Sequence, residues 1–245
     1  MKQDGSRDPK SIRCVHCGRD LTKSTKDHVF PSAWYPSETP PDVQRWTVPS
    51  CSQCNNKFGA MERELFIRLA MCIDPQRAEA AGLSEKAVRS MGIGAEGISL
   101  KESLHRRALK LKIIASVWHH KPGTETLPGL GPHPGFPEDK QLAIPISANL
   151  MEEVVKKIVR GCEFELAKGR IIEEPYEIGI SFVHEHNVPE AVNRAFQISS
   201  ALKAPLGPGF EVTRVEAHDE PGAVMYKMVI WGTLVAYASI LPKLA

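Results

Sequence analysis

Four cysteines, together with an aspartate next to a histidine, are the residues of this chain whose types and spacing could do chemistry. The cysteines form two C-x-x-C pairs, Cys14 with Cys17 and Cys51 with Cys54. Each pair can bring two thiolates to one ion, and four thiolates complete the closed tetrahedral shell of structural zinc. A redox C-x-x-C usually occurs once, near a βαβ pattern, and this sequence lacks that pattern. The spacing therefore predicts a structural Zn²⁺ held by four cysteines.

Three further residues bear on this zinc site. His16, inside the first pair, could replace a thiolate, but because the cysteine set is complete we expect its side chain to point to solvent. Cys72 and Cys162 lie in apolar surroundings, and we expect both to be buried core residues.

Between the two pairs lies the stretch KDHVFP, which contains Asp27 and His28. Hydrolysis of a phosphodiester needs an activated water, charge neutralisation at phosphorus and stabilisation of the leaving oxygen. A histidine of near-neutral pKa can remove the proton of a water, which suits His28. Mg²⁺ or Mn²⁺ prefers oxygen ligands such as the carboxylate of Asp27 and the amide oxygen of Asn55, which directly follows Cys54. Alone, such an aspartate–histidine pair is typical of a turn aspartate beside a surface histidine. Between these cysteine pairs, and with CNN downstream, it favours a metal-dependent phosphodiester hydrolase.

The order C-x-x-C, then DHVFP, then TVPSC-x-x-CNN and a helix resembles the HNH endonucleases. The match covers roughly residues 14 to 66. The resemblance implies a ββα-metal fold, in which two strands and a helix hold a catalytic divalent ion separate from the zinc. It also implies an endonuclease with His28 as general base, Asp27 and Asn55 as metal ligands, and nucleic acid, preferably DNA, as substrate.

The sequence departs from the family pattern in the middle asparagine, which usually orients the general base. Gln44, Arg45 and Trp46 stand at that place, so the orienting role is unassigned. This departure favours an alternative, a non-catalytic zinc-ribbon module that binds nucleic acid or protein. The DHVFP insert counts against that alternative, because a compact zinc ribbon does not need it.

Several charged residues near the motif have both a functional and a plain interpretation. Glu62 and Glu64 could hold metal through water, but favourable charge at a helix N-terminus is the preferred explanation. Candidate nucleic-acid contacts are basic side chains that could lie along a phosphate backbone, although a solvated surface explains them as well. They are Lys57, Arg106, Arg107 and Lys110.

The remaining pattern predicts an α+β protein in which the N-terminal ββα-metal zinc module is followed by helices and a C-terminal antiparallel sheet. We expect a disordered segment at 1–12, the zinc and nuclease module at 13–75, a helical connector at 76–98 and an α+β domain of unknown role at 99–245. A long helix is predicted over 99–120. A second helix, with one apolar face and Gly161 as its C-cap, is predicted for the stretch ISANLMEEVVKKIVRG. "VMYKMVIW" and "TLVAYASI", broken at Gly232, predict a hairpin.

Composition limits the class of protein. The 245 residues suffice for a proper core, and a formal net charge of +2 does not by itself argue for nucleic acid. The N-terminus shows no secretory signal, and the longest apolar run, of 14 residues, is too short to span a bilayer. Six cysteines without such a signal indicate a reducing compartment, so we expect a cytoplasmic protein without a membrane partner. The sequence predicts no oligomeric state.

Overall fold

The computed structural model describes residues 12–92, 97–121, 123–132, 135–198 and 201–243. Within these ranges the fold is α+β, as predicted. The strands are β1 (Ile12–Arg13), β2 (Asp20–Leu21), β3 (Thr25–His28), β4 (Thr47–Ser50), β5 (Trp118–His119), β6 (Leu142–Ala143), β7 (Tyr176–Ser181), β8 (Leu202–Pro205), β9 (Phe210–Glu216), β10 (Val224–Ile230) and β11 (Leu234–Pro242). The helices are α1 (Ser52–Ala70), α2 (Leu83–Ser90), α3 (Leu100–Ser116), α4 (Ala148–Leu166) and α5 (Glu190–Gln197). Except for Ile12, the segment predicted to be disordered lies outside the described residues.

The N-terminal part forms two strands and a helix. Strands β3 and β4 pair antiparallel, with Asp27 opposite Val48 and His28 opposite Thr47. Helix α1 begins directly after β4 because Cys51 caps it, its sulfur accepting the backbone N–H of Cys54. The short pair β1–β2 precedes them and carries the first two cysteines on its connecting turn.

The C-terminal part contains a five-stranded antiparallel sheet in the order β7-β11-β10-β9-β8. The predicted hairpin is confirmed as β10 and β11, joined through Trp231 and Gly232, both with positive φ. Glycine suits this turn because the left-handed region costs it little. Residues of β10 alternate between buried and half-buried, so one face of the sheet meets the core.

Helix α4 lies between this sheet and the N-terminal part. Its apolar face is buried as predicted, but the prediction that Gly161 caps the helix is wrong, because the helix continues to Leu166. A Cβ at position 161 would lie 2.8 Å from the Cγ2 atom of Val29. Gly161 therefore serves close packing of α4 against the segment that follows β3.

Helix α3 is shorter than predicted. It ends at Ser116, and Trp118 and His119 instead form β5, which pairs with β6. The residue between them, Val117, is extended and stops the helix. None of the helices in the described residues is long and apolar enough to cross a membrane.

One apolar core connects the N-terminal and C-terminal parts. The ring of Trp34 packs against Trp231 with centroids 5.3 Å apart, and Phe30 packs against Phe210 at 4.5 Å. The indole N–H of Trp231 also donates to the carbonyl oxygen of Trp34 at 2.7 Å. The domain boundaries at 75 and 98 stay a prediction, but the packing crosses both.

Candidate functional site

The four cysteine sulfurs form one cluster. All four Sγ atoms lie within 4.8 Å of one another, and those of Cys17 and Cys51 are 4.0 Å apart. A tetrahedral zinc with bonds of about 2.3 Å places its sulfurs about 3.8 Å apart. The backbone N–H of Cys51 donates to the sulfur of Cys14 at 3.3 Å, which favours negative charge on that sulfur. The cluster could therefore hold a metal ion.

An arginine lies beside this cluster. The Nε of Arg19 donates to the sulfur of Cys17 at 3.4 Å. Partial burial raises the pKa of the Cys17 thiol, but the hydrogen bonds from Arg19 outweigh it and lower the pKa to about 6. Burial and neighbouring sulfurs raise the pKa of the Cys54 thiol. The cluster thus offers a ready thiolate at neutral pH and a second thiol that would lose its proton on binding a cation.

Next to the cluster lies an open pocket of about 330 Å³. It is bounded by β3, the turn after it, α1 and α2. Polar and charged side chains from β3, α1 and α2 line it, among them Lys26, Asp27, His28, Asn55, Glu62, Arg63 and Lys86. The aspartate, histidine and asparagine named from the sequence are thus neighbours in one cavity.

Asp27 forms the inner wall of the pocket and is only 5% exposed. One carboxylate oxygen lies 2.7 Å from Nε2 of His16, and the other lies 3.3 Å from Nζ of Lys157. Burial alone would raise the pKa of Asp27, but the hydrogen bond with His16 and the charge of Lys157 outweigh it and lower the pKa. Asp27 is therefore a carboxylate held in a fixed orientation.

The prediction that His16 points to solvent is wrong. Its side chain is fully buried, and its ring packs edge-on against Phe58 with centroids 5.1 Å apart. Burial lowers the pKa of the imidazole. The physical reason for the inward position is the buried carboxylate of Asp27, which requires a hydrogen-bond partner.

His28 is half-buried at the mouth of the pocket. Burial and the nearby charge of Lys157 lower the pKa of its imidazole, and Asp27 opposes them weakly. A lowered pKa favours the neutral form, which can accept a proton. Among the contacts of the described residues, none is a hydrogen bond to this ring, so its orienting group is still unassigned.

Asn55 is fixed by the strand beside it. Its Nδ2 donates to Oγ1 of Thr25 at 3.1 Å, and Thr25 in turn donates to the carbonyl oxygen of Ser50 at 2.9 Å. This arrangement leaves the Oδ1 atom of Asn55 as an acceptor. Because Asn55 follows Cys54 in the first turn of α1, the cysteine cluster determines where this oxygen lies.

The preferred explanation of Glu62 and Glu64, charge at a helix N-terminus, is wrong because α1 begins at Ser52 and its first turn holds no acid. Glu64 faces away from the pocket and pairs with Arg68 and Lys112. Glu62 is 9% exposed and lines the pocket, with Oε1 2.8 Å from Nζ of Lys157. That contact has the distance of an ion pair without the direction of a hydrogen bond, so this oxygen keeps acceptor capacity. Burial raises the pKa of Glu62.

Two of the four candidate nucleic-acid contacts are already paired with acids. Lys57 pairs with Glu153 at 3.1 Å, and Arg106 pairs with Glu102 at 2.9 Å. Arg107 is exposed and Lys110 half-buried on α3. A second open pocket of about 790 Å³ shares several α1 residues with the first and reaches the start of α3. None of the four candidates is among the described residues that line these two pockets. At its α3 end, the second pocket is lined by Ser99, Lys101, Glu102 and His105.

Sequence reasoning missed Lys157, whose side chain is fully buried against the site. One signal could have found it. Lys157 follows Val154 by three residues and precedes Gly161 by four, so a lysine interrupts the buried face of α4. A charge on an apolar helix face requires a partner elsewhere in the fold.

Comparison with known proteins gives no match: no family model matches the chain, and neither does any curated protein or solved structure.

Proposed function

We propose that this protein is an HNH-type endonuclease that hydrolyses phosphodiester bonds in nucleic acid, preferably DNA. The observation that carries the proposal is the pocket in which Asp27, His28 and Asn55 meet beside the four-cysteine cluster. In this proposal the cluster holds Zn²⁺, and its role is structural, because four thiolates leave no open position for substrate.

The donor set of the pocket fits a hard divalent cation. Asp27 offers a carboxylate, Asn55 an amide oxygen that accepts no hydrogen bond among the described contacts, and Glu62 a carboxylate oxygen with spare acceptor capacity. Oxygen ligands of these types suit Mg²⁺ and Mn²⁺. Such an ion, once bound, would polarise the phosphate and neutralise charge on the leaving oxygen.

The chain's own residues then have separate roles. His28, neutral and half-exposed at the pocket mouth, takes the proton of the attacking water. Asp27 and Asn55 are held by His16 and Thr25, so neither has to reorganise when the substrate enters. Lys26 and Lys86 line the same pocket and provide positive charge for a phosphate. Arg63 also lines the pocket but is paired with Glu102 at 2.9 Å.

The decisive experiment is a plasmid-nicking assay with Mg²⁺, with Mn²⁺ and with EDTA, on the wild type and on His28→Ala. We expect divalent-dependent nicking by the wild type and a loss of at least about 100-fold in His28→Ala, because general-base catalysis contributes 10²–10⁴-fold. The zinc content and thermal unfolding of the variant should match the wild type, since His28 is half-exposed and ligates no zinc.

His218→Ala is the matched control, because His218 is an exposed histidine near the turn between β9 and β10. This variant should nick DNA at the wild-type rate. Full activity of His28→Ala would refute the general-base assignment, and absence of cleavage with every divalent ion would refute the nuclease.

A second candidate function is the non-catalytic zinc module that binds nucleic acid or protein. One observation favours it: the imidazole of His28 accepts no orienting hydrogen bond among the described contacts, while Asp27 is already satisfied by His16 and Lys157. This candidate predicts no cleavage under any condition and unchanged binding in Asp27→Ala.

A further inference from the structure

A lysine of α4 reaches the proposed site from a distant part of the chain. The Nζ atom of Lys157 lies 2.8 Å from a carboxylate oxygen of Glu62 and 3.3 Å from one of Asp27. It also donates to the backbone carbonyl oxygens of His28 and Val29, which lie 129 and 128 residues earlier in the chain. Among the described residues, the polar partners of Lys157 are therefore residues of the site and Val29, which follows His28.

The packing of α4 is arranged so that this reach is possible. Gly161 lies one turn after Lys157, and a Cβ there would approach Val29 side-chain atoms at 2.8 and 2.9 Å. A glycine inside a helix costs roughly 1 kcal/mol relative to alanine. Here it allows the helix to touch the end of β3, where the Lys157 ammonium meets the backbone of His28.

Stability alone does not account for a buried lysine at this position. Removing an ammonium from water is costly, and a well-packed apolar residue in place of a buried ion pair is often as stable or more so. The side chain of Lys157 is nevertheless fully buried, in contact with a carboxylate that offers metal ligands and with the backbone of the general base. The contacts of Lys157 restrict the orientation of the Asp27 carboxylate and of the His28 backbone.

We propose that Lys157 is a positioning residue of the nuclease site. Lys157 fixes the position of the Asp27 carboxylate relative to the His28 backbone, and α4 is thereby part of the catalytic unit. This inference rests on the proposed function. It assigns a role in the reaction to the C-terminal half of the chain, where the sequence offered none.

The test is Lys157→Met, which keeps the length of the side chain and removes its charge. We expect kcat to fall at least tenfold with less than a twofold change in the KM for DNA. The reason is that Asp27 and His28 would no longer be held in fixed relative positions, while the exposed substrate contacts remain. The half-saturating Mn²⁺ concentration should also fall severalfold, since a cation 3.3 Å from the proposed ligand Asp27 no longer repels the ion. A merely structural role would lower the melting temperature without moving either quantity.

Lys156→Met is the matched control. Lys156 is the adjacent residue of α4, partly exposed and paired with Glu152, and this variant should keep the wild-type kcat and Mn²⁺ dependence. If Lys157→Met does not fold, Lys157→Met/Glu62→Gln removes one charge of each sign and should fold. Because Glu62 belongs to the proposed donor set, the reference is Glu62→Gln alone, and the double variant should have a kcat at least tenfold below that reference.

The outcomes separate the two claims. An active wild type with an equally active Lys157→Met overturns the positioning role and leaves the nuclease intact. Where Lys157→Met does not fold, a double variant as active as Glu62→Gln has the same meaning. A wild type without divalent-dependent cleavage overturns the nuclease itself. In either case, hydrogen exchange of residues 25–31 reports the contact directly, and unchanged exchange in Lys157→Met would refute the claim that Lys157 holds this segment.

Discussion

At the scale of single residues, His28 lies between charges of opposite sign. The ammonium of Lys157 and partial burial lower the pKa of its imidazole, while the adjacent carboxylate of Asp27 raises it by less. The net effect favours the neutral ring at a pH where an ordinary histidine is partly charged. A base in this environment can accept a proton under mildly acidic conditions.

The pH dependence of cleavage follows from this shift. Only the neutral imidazole can take a proton, so kcat/KM should rise with pH as His28 deprotonates. Because its pKa is lowered, the midpoint of the rise should lie below about 6.5, the value of an unperturbed histidine. The measurement is initial nicking rate from about pH 5 to about pH 8 at saturating Mn²⁺. A midpoint clearly above that of free histidine would contradict the assignment.

The sequence singles out these residues as candidates, and they line one pocket, but it does not predict their surroundings. Asp27, His28 and Asn55 have chemically suggestive types and lie next to zinc-type spacing, which is local information. The inward position of His16 depends instead on a carboxylate 11 residues away, on a different element. Local periodicity carries no information about such a pair.

At the scale of elements, α4 contributes to two buried charged clusters. Lys157 faces the candidate site, whereas Glu163 faces the sheet, where it accepts hydrogen bonds from Arg214 and from the hydroxyl of Tyr226. Burial raises the pKa of Glu163, but those hydrogen bonds outweigh it and lower the pKa. The helix is therefore fixed on both sides by contacts that define its position along its axis.

A pair of helical glycines tests how closely α4 must pack. Gly161→Ala places a methyl group against Val29 and should destabilise the protein by about 1–3 kcal/mol, the usual cost of overpacking. Gly59→Ala, in α1, meets no atom within 4 Å and should stabilise it by about 0.5–1 kcal/mol. Urea unfolding of both variants measures the difference, and equal effects would show that the contact with Val29 is unimportant.

The elements themselves could be predicted where their pattern is local. The β10–β11 hairpin follows from alternation and a turn glycine, and the helix with one apolar face, α4, was expected. The end of α4 could not be predicted, because Gly161 resembles a C-cap glycine in the sequence. Its contact with Val29 shows that it is instead a packing glycine inside the helix. The end of α3 depends on the pairing of β5 with β6, in which Leu142 lies 23 residues after its partner His119.

At the scale of the whole molecule, the N-terminal part and the sheet share one core. Trp34 and Phe30 from the N-terminal part pack against Trp231 and Phe210 from the sheet. These aromatic side chains are almost completely buried and provide much of the apolar contact between the two parts. A metal ion alone would not replace that contact.

An isolated fragment ending at Gly92 should therefore fail to fold, even with zinc. Without the sheet, Phe30, Trp34 and Tyr35 would be exposed, and a segment of this size has little other core. Circular dichroism and binding of a hydrophobic dye to the zinc-loaded fragment, compared with the full chain, provide the measurement. A cooperative thermal transition in the fragment would show instead that the N-terminal part is an independent domain.

The contact between Lys157 and the acids around it has a consequence for how this sequence can change over generations. Replacing Lys157 alone leaves two carboxylates without their buried counter-ion, whereas replacing one of the acids with it removes one charge of each sign. Drift in the second half of the chain is thus restrained by residues in the first half. Recombination that exchanged either half with a diverged copy would separate partners that were inherited together.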